Sequence, residues 1–94
     1  MPIYILISKL TNEGRKTIKN NPDRIREVDK EIEKMGAKVL AQYATLGMFD
    51  FLNVVEAPDN ETIARVSTEL GARGTVEITT LCAIPVFEFV EKMG

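Results

Sequence analysis

Residues Gly47 to Asp59 read GMFDFLNVVEAPD, and this stretch constrains the fold of the chain more than any other. It is rich in aromatic and β-branched residues, which suit a pleated and packed surface. Turn chemistry brackets it, with Gly47 before and Pro58-Asp59 after. Both of its faces carry apolar side chains: Phe49, Phe51 and Val55 on one, Met48, Leu52 and Val54 on the other. An amphipathic surface strand would alternate apolar with polar, so this pattern reads as a central strand covered on two sides. Asp50 and Asn53 interrupt it, and a plain core strand needs neither.

The elements on either side follow from local signals. Ile3 to Ser8 (IYILIS) is a short apolar run and reads as a buried first strand. Lys9 to Asn21 is polar, with Gly14 in its middle, and reads as a loop holding one helical turn near Glu13 to Lys19. Asn21-Pro22-Asp23 has the order cap, first-turn proline, first-turn acid, which predicts a helix start. Ile25, Val28, Ile32 and Met35 then recur at helical spacing, and Gly36 supplies the stop. On the opposite face Glu27 and Glu31 form a like-charged i,i+4 pair.

Ala37 to Thr45 is the second strand, and Leu46-Gly47 joins it tightly to the third, Met48 to Glu56, so the two must run antiparallel. Asp59 caps a second helix whose stripe is Ile63, Val66 and Leu70. Thr75 to Ile84 is the fourth strand, and Pro85 ends it. The tail Val86 to Met93 is one or two helical turns, with Phe87, Val90 and Met93 expected to face inward.

The order β-α-β-β-α-β predicts an α+β, ferredoxin-like fold: a four-stranded antiparallel sheet with both helices on one face. Right-handed crossovers put strands one and three in the centre. Two helices cover one face only, yet the central strands are apolar on both. An uncovered apolar face calls for a partner, and the simplest is a second copy, packed sheet against sheet under two-fold symmetry.

Composition narrows the chemistry. The 94 residues are enough for one domain, 1–94. One cysteine, Cys82, excludes an intrachain disulfide and a cysteine-cluster metal site. The absence of histidine removes the commonest general base, the usual triads and imidazole ligation. No metal and no cofactor is expected. A net charge of −2 gives no basic field for nucleic acid, and no apolar run approaches the ~20 residues that cross a bilayer. The start lacks the charged region of a signal peptide, so a cytoplasmic location is expected.

Asp50 is the first candidate site residue. As a functional group it is a carboxylate in an apolar cleft; as a structural one it accepts backbone N–H bonds at a strand start. Asn53 lies on the opposite face by parity, facing either the helices or a dimer seam. Tyr4, Tyr43 and Thr80 are placed with Asp50 as candidate pocket residues, each with packing as the plainer role. Arg73 is expected to cap the second helix, and Cys82 to be a buried, inert thiol. Lys9, Arg15, Lys16 and Lys19 make a basic stretch without interleaved aromatics, which reads as a solvated loop.

With these residues in hand, the chain resembles the GYD-domain proteins, a group related to the dimeric α/β-barrel superfamily. The resemblance is carried by Gly47-Met48-Phe49-Asp50, by Val54-Val55-Glu56-Ala57-Pro58-Asp59, by Leu70-Gly71-Ala72-Arg73-Gly74-Thr75-Val76 and Thr79-Thr80-Leu81, and by Ser8-Lys9-Leu10-Thr11 through Gly14. Phe49 stands where the signature has Tyr, so no phenol is available there. The resemblance implies a dimeric barrel of two ferredoxin-like units. Three functional readings follow: a small-molecule-binding or regulatory module, a cofactor-independent enzyme of the dimeric-barrel type, or a purely structural assembly protein. The partners expected are further copies of the chain, as a homodimer or a higher homo-oligomer joined through the sheet face, and a small molecule, with no nucleic acid and no membrane.

Overall fold

A computed structural model describes residues 1–94. The elements run β1 (Ile3–Leu10), α1 (Asn12–Asn20), α2 (Arg24–Lys34), β2 (Lys38–Ala44), β3 (Phe51–Glu56), α3 (Asn60–Gly71), β4 (Val76–Ala83) and α4 (Val86–Met93). The four strands form one antiparallel sheet in the order β2-β3-β1-β4, so β1 and β3 are central, as the crossover argument requires. This is the ferredoxin-like arrangement. No helix is long and apolar enough to cross a membrane.

Burial alternates along the strands and separates the two faces. Tyr4, Leu6 and Ser8 on β1, with Asn53 and Val55 on β3, are buried beneath the helices. Ile32 of α2 and Ile63, Val66 and Leu70 of α3 complete that core. The intervening residues form the other face, which no helix covers. Its central row, read across the register, is Ala41, Val54, Ile5 and Leu81; the next is Tyr43, Leu52, Ile7 and Thr79. Tyr43 is 59% exposed and Leu81 43%. The parity argument puts Asn53 on the helix side, not on the open face.

Four sequence-based expectations change. The segment after β1 is a full nine-residue helix, not a loop with one turn. Thr11 caps it by accepting from the Gly14 amide at 3.2 Å. Gly14 breaks no helix here: it is buried against the β4 start, where a side chain would meet the Thr75 carbonyl. Asn21 and Pro22 consequently belong to the turn between helices, and α2 begins at Arg24 after Asp23. The connection between β2 and β3 is a loop of residues 45–50 rather than a tight Leu46-Gly47 turn. Gly47 adopts φ 128°, and Thr45 closes the loop by donating its amide to Asp50 O (2.8 Å) and its hydroxyl to Phe49 O (2.7 Å). Leu46 and Met48 are left at the tip, exposed. Finally, α4 exists, but Phe87, Val90 and Met93 do not face inward; none of its residues is buried.

The chain is therefore extended for its size. Its radius of gyration is 14.0 Å, against about 12 Å for a compact chain of this length.

Candidate functional site

A cleft of about 260 Å³ lies between the sheet and the helices. Its floor is the helix-facing surface of β1, β2 and β3, through Ser8, Gln42, Phe51 and Asn53. Its walls come from α1 (Thr17, Ile18), α2 (Ile25, Val28, Ile32), the end of α3 (Leu70) and the start of β4 (Val76, Ile78). Helical periodicity puts Ile25, Val28 and Ile32 on one stripe, so α2 lines the cleft with the face that also feeds the core. The cleft lies where α1 and α2 meet over the central strands, because the helix layer is built there from short, separate pieces.

The floor is neutral and polar. Asn53 is 8% exposed and Ser8 7%. Asn53 Oδ1 has no hydrogen-bond partner within the protein. Gln42, opposite Asn53 in the β2–β3 register, donates Nε2 to Asp29 Oδ1 at 3.1 Å. Burial pushes the Asp29 carboxyl above its usual range, and this bond from Gln42 opposes the shift.

Arg24 and Arg73 are the charged lining groups. Glu31 engages both: Arg24 Nη1 lies 2.9 Å from Oε1, and Arg73 Nη1 lies 2.5 Å from Oε2. Arg24 also reaches Glu27 at 3.4 Å. The hydrogen bond from Arg24, reinforced by Arg73, holds the Glu31 carboxyl below its usual range, while desolvation works the other way. The Glu27–Glu31 repulsion read from the sequence is thus relieved by Arg24, which lies on the same helix and reaches both. Arg73 does not cap α3; its side chain crosses to α2. Spacing within α2 could have revealed the Arg24 contact, whereas no local signal announces Arg73.

The five candidate residues are not gathered into one pocket. Asn53 lines the cleft. Asp50 does not: its Oδ2 accepts from the Leu10 amide at 2.8 Å, and its own amide donates to Ser8 O at 2.8 Å, so it extends the β1–β3 pairing beyond the strand. Tyr4 is buried in the core, its hydroxyl donating to Asn60 Oδ1 at 2.5 Å at the start of α3. Burial, aided by Cys82 and two acidic neighbours, pushes that phenol up. Thr80 shares a 2.6 Å hydroxyl–hydroxyl bond with Ser67. Tyr43 lies on the open face of the edge strand β2. Cys82, expected buried, is exposed on the edge strand β4, its thiol donating to Asn60 Oδ1 at 3.8 Å at the start of α3. No group of three or more Cys, Asp or Glu residues is placed to hold a metal ion.

Residues 4–93 match the family model of the GYD domain. A protein of Thermus thermophilus, named glutamine synthetase and cystathionine beta-lyase binding protein, is 48% identical over 94 residues, covering 99% of both chains. Two solved structures share the fold. MtbAldR superposes with a TM-score of 0.66 at 24% identity over 89% of this chain, which spans only 52% of that protein. TTHA0845 of Thermus thermophilus superposes with a TM-score of 0.58 at 20% identity, over 90% of this chain and 95% of that one.

Proposed function

The chain belongs to the GYD-domain family, and on that premise we propose that it is a homodimeric regulatory binding module that docks on metabolic enzymes. The observation that carries the reading is the 48% identity, over essentially the whole of both chains, to a protein named for binding glutamine synthetase and cystathionine beta-lyase. The partners proposed here are enzymes of that kind, met in the cytoplasm by a single domain spanning 1–94.

The dimer rests on surface accounting. The chain exposes 6552 Å², whereas a compact monomer of its mass exposes about 5,400 Å². The excess of about 1,100 Å² is comparable to the ~800 Å² that each partner contributes to a standard interface. It is accompanied by an apolar sheet face with no cover and by only 12 buried residues of 94. Packing two such faces together closes the sheets into a barrel and leaves α4 and the loop tip at 46–48 free for other contacts.

Biolayer interferometry with the chain immobilised and glutamine synthetase or cystathionine beta-lyase from the same source in solution tests the enzyme-docking reading. Saturable binding to either in the micromolar range supports it. Flat responses to both up to about 100 μM, a free energy too small for a specific complex, would overturn it.

A further inference from the structure

We propose that the cleft between the sheet and α1–α3 is a binding site for a compact, mostly apolar small molecule with a neutral amide-type head, read by Asn53. The proposal is independent of enzyme docking and of the open sheet face, since the cleft is on the other side of the sheet.

Size comes first. A cavity of 260 Å³ exceeds the ~150 Å³ that admits benzene in an apolar protein interior. It sits just below the range of ordinary ligand pockets, about 300–1,000 Å³. A molecule with one ring or one branched chain fits it. The walls supplied by α2, Leu70 and Val76 are apolar, which sets the body of the ligand.

The head follows from the floor. Asn53 is more than nine-tenths buried, and its Oδ1 is unpaired within the protein. A buried amide oxygen left unpaired lowers the stability of the chain, and a ligand N–H donated to it recovers the loss. Ser8, also buried and two residues out of register with Asn53 on the same face, adds a hydroxyl that can serve either way.

Charge selects a neutral head over an anionic one. No cation lies on the floor. The arginines lining the cleft are both committed to Glu31, so a carboxylate would have to displace Glu31 or enter a neutral, desolvated floor. An amide meets the Asn53 side chain with no charge to bury.

The test uses three probes of one shape: benzamide, benzoate and toluene, titrated into the full chain and followed by backbone amide chemical shifts. Benzamide is expected to move the amides of Ser8, Asn53, Val28 and Ile32 and to bind about tenfold tighter than benzoate or toluene. Asn53→Leu is expected to abolish that advantage while toluene still enters. The proposal is overturned if benzamide leaves those amides unmoved, if benzoate or toluene binds as tightly, or if Asn53→Leu retains the benzamide preference. The comparison of probes on the unaltered chain stands whatever the variant does.

Discussion

Gly14→Ala is the substitution that most sharply tests the packing of α1. An ideal Cβ at Gly14 would lie closer than 3.0 Å to the Thr75 carbonyl oxygen and 3.0 Å from Leu10 Cδ2. The obstacle is backbone, which cannot swing aside as a side-chain tip can. Forcing an extra methyl into a tight site costs about 1–3 kcal/mol. Relief requires α1 to move off β4, which stretches the bonds from the Thr11 amide to Thr75 O (3.0 Å) and from the Thr11 hydroxyl to Gly74 O (2.7 Å). Each of those contributes about 1 kcal/mol net. The better helix propensity of alanine returns about 1 kcal/mol. The balance is a loss of about 2–4 kcal/mol, a large part of the several kcal/mol that hold a domain of this size. Gly71→Ala is the matched control: it also lies in a helix, and its Cβ meets nothing within 4 Å. It should gain up to about 1 kcal/mol through the unfolded chain. Urea unfolding followed by circular dichroism, at one fixed chain concentration, reads both. A Gly14→Ala midpoint equal to or above that of the parent would refute the close approach of α1 to Thr75.

Three further outcomes are expected. Tyr4→Phe removes the hydroxyl that donates to Asn60 and leaves that acceptor only the weak 3.8 Å bond from the Cys82 thiol, so it should lower the urea midpoint in the same assay; an unchanged midpoint would show that the bond contributes nothing. Asp50→Ala strips the Leu10 amide of a charge-assisted partner and should cost about 1–3 kcal/mol while leaving the benzamide affinity of the cleft unchanged, since Asp50 does not line it. Glu31 has its carboxyl held below the usual value of 4.5, so it binds fewer protons folded than unfolded. Its stabilisation is therefore complete above that value and lost as pH falls through the folded pKa. Asp29, raised by burial, has the opposite sign, so the readout is the difference between the parent and Glu31→Gln. That difference should shrink as urea unfolding is moved from about pH 6 to about pH 3.5, and a constant difference would refute the linkage.

The strand order was legible because it follows from hydrophobic period and chain connectivity. Ile25, Val28 and Ile32 announced α2, and Asp59 announced α3, which it caps by accepting from the Thr62 amide at 2.8 Å. The first helix was hidden by Gly14, which lowers local helix propensity for a reason that lies far along the chain, at Thr75. The inward turn expected of α4 failed for a related reason. Its apolar stripe is real, but periodicity reports that a face seeks cover and not that the same chain supplies it. At the site, Asn53 was visible as a polar break in an apolar strand. Its cleft was not, because the walls come from four separate segments. Asp50, the more conspicuous residue, is spent on holding the end of β1.

The uncovered sheet face is proposed as the seam between two copies. Sedimentation velocity at micromolar concentration, run on the parent chain and on Val54→Glu, tests it most directly. Val54 lies in the middle of the open face, between Ile5 and Ala41, so a carboxylate there would be buried unpaired in the seam. A species of twice the chain mass is expected for the parent and a folded monomer for the variant. A parent chain that sediments as a monomer, or a variant that stays dimeric, would contradict it.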